Sequence, residues 1–426
     1  MSPEERLRAH SAEFEKAVCP LSSNAYLAVG FAASNVGMIV GDDGLIIIDT
    51  TESTKAAENI LDAFREITDK PVRTIVYTHS HRDHISGASV FADGAEVEII
   101  AHPEFEGDLV ETDGKPGPHK ALMARTARQF GIGLAQGTER INLGLGPGDR
   151  PMEGMGQGFL PPTRRVATDG EVIERAGVRM ALHFAPGECA DTIVVHLPGG
   201  SILFSADNYY ASFPNLYAIR GTPYRDFGVW ADSLRKMAAL EADVLAPGHT
   251  RPVTGPDAVR TRLADYEAAI RFVIAETSEG MNAGLTPDEL VDHVRLPEAL
   301  RHKPYLQEYY GTVEWAVRAY FAGTLGWFDG DPATLFPLAS RARAERLAAL
   351  AGGAEALIVA ARAAFDEGDL QWALELATEV LRLAPGTTDA TKLRIEAMRA
   401  LAGRQVNACA RNYYLMKARQ EGEAET

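Results

Sequence analysis

Up to about residue 255 the apolar residues fall in short β-branched runs, separated by Gly, Pro and Asp. Residues 37–40 and 45–49 flank the turn Gly41-Asp-Asp-Gly44 and read as a hairpin of buried strands. Residues 72–77 and 96–100 read as further strands, with helix-like stretches between them and over residues 54–68. A second hairpin is predicted over residues 192–204, with Gly199-Gly200 at its turn, and a short strand over 242–246. Hairpins mixed with helices predict an α/β fold, two layers of strand with helices outside. Residues 143–168 hold six glycines before Pro161-Pro162, a loop long enough to be read as functional.

Beyond residue 256 the period becomes helical. Residues 354–367, 369–383, 388–401 and 405–418 each repeat apolar positions at three and four residues. Gly368-Asp369 and Gly403-Arg404 sit at corresponding turns 35 residues apart, the spacing of tetratricopeptide-like helix pairs. Two such pairs make a marginal solenoid, which calls for a covering surface, and a second subunit is expected to supply it. Three units follow: 1–255, 256–345 and 346–426.

The 426 residues include 42 Lys and Arg against 59 Asp and Glu, a net charge of −17. That surface repels polyanions, so nucleic acid is excluded as a partner. Cys19, Cys189 and Cys409 are too few and too scattered for a disulfide framework or a paired-cysteine metal site. No apolar run reaches the ~20 residues that span a bilayer. The charged first ten residues lack a secretory pattern, so the expected location is cytoplasmic.

One stretch carries chemistry. Thr78-His79-Ser80-His81-Arg82-Asp83-His84 follows directly on a predicted strand. On extended backbone His79 and His81 point the same way and are placed to share one metal. Asp83 and His84 then turn toward a second. Imidazole and carboxylate donors suit zinc, with iron or manganese also compatible.

His79-Ser-His-Arg-Asp-His84, with Gly87, resembles the signature of the metallo-β-lactamase superfamily. The resemblance implies an αββα sandwich with a two-metal site at one edge of its sheets, followed here by an all-α tetratricopeptide-like domain. It also implies three further ligands, each after a strand. Glu188, in Ala185-Pro-Gly-Glu188-Cys-Ala-Asp191, stands where most members have His, with Asp191 as the competing candidate. Asp207 falls at the bridging carboxylate and His249, in Ala246-Pro-Gly-His249, at the last ligand. The implied assignment is His79, His81 and Glu188 on one Zn2+, Asp83, His84 and His249 on the other, and Asp207 on both.

Glu188, together with Asn215-Leu-Tyr-Ala-Ile-Arg220 and Arg225, is similar to the alkylsulfatases of the superfamily. The tail, with Gly368-Asp-Leu-Gln-Trp372 and Arg411-Asn412, is similar to their dimerisation domain. Three features depart from that pattern: Asp207 where Glu is commoner, residues 209–214 in place of a His-containing stretch, and a chain ending at Thr426 with no sterol-carrier-like domain. The last two argue against long detergent substrates. A homodimer hydrolysing a small sulfate ester is expected. Asp83 and Asp207 act at the metals, and Asn215, Arg220 and Arg225 clamp the sulfate by the match of guanidinium forks to a tetrahedral oxyanion. Two divalent ions bring the pKa of water toward ~7. Tyr209, Tyr210 and Phe213 read equally as pocket wall or core, and His119 as a residue near the site. Attack at carbon and attack at sulfur both remain open. The competing readings are a lactonase, thioesterase or β-lactamase on the same fold, and a noncatalytic metal-binding scaffold whose tail binds partners.

Overall fold

The computed structural model describes residues 1–106 and 117–423. The β-branched runs build two sheets. The first holds β1 (Ala17–Pro20), β2 (Ala25–Val29), β3 (Val36–Val40), β4 (Leu45–Ile48), β5 (Val72–Val76), β6 (Glu98–Ala101) and β7 (Arg164–Arg165), in chain order. The second holds β8 (Glu171–Arg175), β9 (Val178–Phe184), β10 (Ile193–Leu197), β11 (Ile202–Ala206), β12 (Val244–Pro247) and β13 (Val253–Thr254), each again beside its chain neighbour. Strands β1 to β4 pair antiparallel and β4 to β7 run parallel. In the second sheet only β11 and β12 run parallel.

Strand β4 is Leu-Ile-Ile-Ile because both of its faces are covered. Ile46 and Ile48 lie between the sheets with Ile193, Val195 and Phe204. Leu45 and Ile47 face the other way, onto Ile60 and Phe64 of the helix Thr54–Arg65. Ser53 starts that helix by accepting a bond from the Ala56 amide at 3.2 Å. On the far side Val194, Leu203 and Leu245 pack against Trp230 and Leu234 of the helix Phe227–Ala238, and against Leu263 and Ile270 of the helix Pro256–Asn282. The layers are therefore αββα, as the resemblance implies. Leu290, Val317 and Phe321 belong to the same outer core, so the chain as far as residue 321 contributes to the sandwich.

The tail is helical: Ala354–Glu367, Leu370–Leu383, Thr388–Gly403 and Ala408–Glu423. Leu357, Ala361, Leu376, Val380 and Leu393 form a core among the first three. The fourth starts later than the period predicts, and Asn407 is the reason. Its Oδ1 accepts from the Ala410 amide at 2.9 Å, while Nδ2 donates to the carbonyls of Glu308 and Tyr310 at 3.0 and 2.8 Å. The glycine-rich stretch 143–168 is packed rather than loose: a Cβ on Gly146 would stand 2.6 Å from the Ala33 carbonyl oxygen. No single described helix is long and apolar enough to cross a membrane.

Candidate metal centre

Parallel pairing puts the C-terminal ends of β4 and β5 at one edge, and those of β11 and β12 at the matching edge of the second sheet. Strand β5 runs out into Thr78 and the histidine stretch, whose short helix Arg82–Ile85 carries Asp83 and His84. The β9–β10 loop brings Glu188, β11 runs into Asp207, and β12 into Gly248-His249. Two backbone bonds lace the sheets together here, Ile193 N to Thr78 O at 2.8 Å and Asn35 N to Gly248 O at 2.7 Å. Asp49, Thr51, Ala206 and Thr250, with φ of 60°, 65°, 51° and 67°, all flank this edge. The register of β11 on β12 also shifts between Phe204 and Ala206, just before Asp207. Left-handed non-glycine residues and bulges cost energy and persist where the surroundings over-determine them, as at working sites.

All seven sequence-derived ligand candidates meet at this edge. Their donor atoms fall into groups within 4.8 Å of one another: Asp83, His84 and His249; His79, His84 and Asp207; His81, Glu188 and Asp207; and His79, His81 and Cys189. His84 Nε2 lies 3.3 Å from Asp207 Oδ1, and His249 Nε2 3.2 Å from Asp207 Oδ2. His84 Nε2 and Asp207 Oδ1 are both buried without a hydrogen-bond partner. Buried polar atoms are normally paired, and a divalent cation satisfies both of these at once. Gly248 clears the space: a Cβ there would sit 2.4 Å from Asp207 Oδ1 and 3.0 Å from His84 Cε1. Asp191 belongs to none of these groups, and its charge acts on His102 instead.

The histidines are oriented from behind. Asp49, whose oxygens only accept, takes a bond from His84 Nδ1 at 2.8 Å and from the Thr78 amide and hydroxyl at 2.7 and 2.8 Å. The Ala33 carbonyl takes His249 Nδ1 at 2.7 Å. Each arrangement leaves Nε2 facing the cluster. Burial opposes charge on His84, yet the carboxylates of Asp207, Asp49 and Asp83 outweigh it and hold that imidazole well above its usual range. Burial opposes charge on Asp207 too, and His249, His84 and His79 reverse it, holding the carboxyl well below its usual range. His81 is pushed the other way, by burial first and then by the charges of His79, Arg220 and Arg225.

Around Glu188 the structure places groups that sequence reasoning assigned differently. Arg225 Nη2 pairs with Glu188 Oε1 at 2.8 Å, both side chains buried, and Arg225 Nη1 donates to the Asn215 carbonyl. That guanidinium is thus turned onto the Glu188 carboxylate. The Tyr210 hydroxyl donates to Glu188 Oε2 at 3.2 Å and accepts from the Asn215 amide at 2.7 Å. Burial and the neighbouring Glu188 push the Tyr210 pKa well up, so it stays a donor. Both atoms of the Asn215 side-chain amide are buried without a partner, and so is Arg220 Nη1. Tyr209 and Phe213 are core. Asp49 is a site residue that the sequence did not reveal, and Tyr210, read equally as wall or core, reaches Glu188. Asp49 carried one signal, an acid ending an otherwise apolar strand.

A family model described as the metallo-beta-lactamase superfamily matches residues 29–249, and one described as alkyl sulfatase dimerisation matches residues 286–423. A linear primary-alkylsulfatase of a Pseudomonas species is 39% identical over 399 residues, covering 91% of this chain and 74% of that protein. An alkyl/aryl-sulfatase of Saccharomyces cerevisiae is 30% identical over 410 residues, covering 93% of this chain and 62% of that one. The solved structure of a stereoselective inverting sec-alkylsulfatase from Pseudomonas sp. superposes with a TM-score of 0.86 at 29% identity, covering 95% of this chain and 65% of that chain. The fold and its edge site define a metallo-β-lactamase-type protein. Within that superfamily the chain belongs to the alkylsulfatases.

Proposed function

We propose that this chain hydrolyses alkyl sulfates, releasing an alcohol and sulfate, at a site that holds two divalent metals. The observation that carries the reading is the meeting of two kinds of unsatisfied group at one edge. Metal donors stand without partners at His84 and Asp207, and anion donors stand without partners at Asn215 and Arg220. Lactonase, thioesterase and β-lactamase readings account for the first pair and leave the second idle. A noncatalytic metal-binding scaffold likewise uses the first pair and leaves the second idle.

In this reading His79, His81 and Glu188 would hold one metal and Asp83, His84 and His249 the other, with Asp207 available to both. The donor chemistry suits zinc, with iron or manganese compatible. When bound, the ions supply Lewis acidity and lower the pKa of water from 15.7 toward ~7. Asn215 and Arg220 orient the sulfate oxygens, and the rigid fork of Arg220 resists rotation of the ester. Arg225 and Tyr210 hold Glu188 in place. Asp49 and the Ala33 carbonyl fix which nitrogen His84 and His249 present. Asp83, Glu188 and Asp207 cancel most of the charge of two dications, which favours a monoanionic sulfate ester over a dianionic phosphate.

We further propose a homodimer built on the segment matched to dimerisation. Supporting the dimer, Phe336 is 90% exposed, Leu350 87% and Trp327 76%, all within the segment matched to dimerisation. Burying such side chains against a second copy removes apolar surface that monomers rarely leave open.

The test is sulfate release from alkyl sulfates of increasing chain length by metal-loaded protein, with a chelated sample alongside. Metal-dependent release with a length optimum is the expected result. Absence of release from every ester, by protein shown to contain two metals, would refute the sulfatase reading and leave the metal site standing.

A further inference from the structure

The loop that carries Glu188 carries a second donor beside it. Cys189 Sγ lies 3.1 Å from His81 Nε2, and one donor atom each of His79, His81 and Cys189 come within 4.8 Å of one another. The loop backbone is locked: the Cys189 carbonyl accepts from the Gly187 amide at 3.0 Å and from the Thr192 hydroxyl at 2.9 Å. The backbone thereby fixes the Cα–Cβ direction of Cys189, and its thiol lies within reach of the two histidines. Glu188 is differently placed. One of its oxygens is paired with Arg225 and the other is bonded to Tyr210. An independent mark of a cation stands alongside, in the buried and unpartnered Asp207 Oδ1 and His84 Nε2, which group with His79.

We propose that the Cys189 thiolate is a ligand of the metal held by His79 and His81, so that this position is a mixed nitrogen, oxygen and sulfur site. The proposal rests on the two-metal reading above and adds a ligand to it. On binding, the thiol loses its proton to solvent and the sulfur lone pair forms the bond to the metal, so filling this position releases one thiol proton. A Zn–N bond of about 2.0 Å and a Zn–S bond of about 2.3 Å place N and S about 3.0–3.5 Å apart for bond angles of about 90–110°. The observed 3.1 Å falls in that range. A sulfur donor also biases the position toward zinc over manganese, because soft thiolate disfavours the harder ion.

Cobalt(II) reads this directly, because a thiolate bound to cobalt gives an intense near-ultraviolet charge-transfer band that nitrogen and oxygen ligands do not. The full chain, stripped by a chelator and titrated with cobalt, is expected to bind two ions and to develop that band with one of them. In Cys189→Ser the band disappears while the weak visible bands and the second ion remain. Two bound cobalt ions without the near-ultraviolet band in the unaltered chain would overturn the sulfur ligand and leave the two-metal reading intact. A band that survives Cys189→Ser would also overturn it. No cobalt binding at all would overturn both. Should Cys189→Ser fail to fold, alkylation of the unaltered chain decides. Zinc is expected to slow iodoacetamide labelling of Cys189 at least tenfold and leave Cys19 unaffected, whereas equal labelling with and without zinc refutes the ligand.

Discussion

Gly248→Ala tests whether the placement of Asp207 governs the site. The new Cβ would lie 2.4 Å from Asp207 Oδ1, where ordinary contact begins at 3.4 Å, so one partner must retreat by about 1 Å. The backbone cannot. Gly248 N donates to the Ala206 carbonyl at 2.8 Å and its own carbonyl accepts from Asn35 N at 2.7 Å. Asn35 Nδ2 further ties the carbonyls of Pro247 and Thr250 at 3.0 and 2.7 Å. The displacement therefore falls on the carboxylate. A 1 Å misplacement at a reacting centre costs about 10²-fold, or about 2.7 kcal/mol in the barrier. Overpacking should cost about 1–3 kcal/mol of stability as well. The assay is kcat/KM on a short alkyl sulfate, with metal content and urea midpoint measured on the same preparation. Gly199→Ala is the control: nothing lies within 4 Å of its Cβ, and it should leave all three unchanged. If Gly248→Ala keeps two metals and stays within threefold of the parent kcat/KM, Asp207 does not need the position the structure gives it.

Two further predictions concern groups outside the donor cluster. Asp49→Asn keeps the shape and tolerates φ of 60°, but removes the carboxylate behind His84. Metal affinity should fall about 10–100-fold, read by competition with a chromophoric chelator, and unchanged affinity would refute the orienting role. His10 is buried, stacked on Tyr309 at 3.9 Å, with Nε2 at 3.0 Å from the Gly144 carbonyl. Burial, only partly offset by that carbonyl, lowers its pKa from 6.5 to about 4. Between those values the unfolded chain binds more protons than the folded one, so stability falls as pH drops, by about 3 kcal/mol in total. His10→Gln should flatten urea midpoints over that window relative to the parent, and superimposable profiles would refute the assignment.

What could be read in the sequence, and what could not, follows from how local each cause is. Strand β4 shows as a continuous apolar run because both faces are buried. The histidine stretch shows because four candidate ligands fall within six residues. Asp49 does not show, since its role exists only once parallel pairing lays β4 beside β5 and brings it to Thr78 and His84. Tyr210 was divided between wall and core for a similar reason: its ring packs among Leu143, Leu145 and Tyr310, and only the hydroxyl reaches Glu188. Arg225 reads as a substrate clamp by residue type, and its pairing with Glu188 does not show. Its Glu188 partner is 37 residues upstream, and a buried guanidinium must first neutralise what lies against it.

The same logic joins the tail to the site. Arg220 sits in a turn whose carbonyl at Ile219 accepts from Arg125 Nε at 3.0 Å, and whose amide at Arg220 donates to Gln129 Oε1 at 2.9 Å. Both anchors lie on the helix His119–Gln129. That helix is held in turn by the last helix of the tail, through Arg128 Nε to Gln420 Oε1 at 2.9 Å and Asn412 Nδ2 to the Gln129 carbonyl at 3.5 Å. Cys409, at the start of the last helix, is buried in the cluster that contains Tyr210. The segment matched to dimerisation thus buttresses the turn that presents Arg220 and the ring that holds Glu188. Because packed interiors transmit displacement rather than absorb it, a shift of the last helix would reach the turn that carries Arg220 through the helix His119–Gln129, while the histidines stay fixed by the strands.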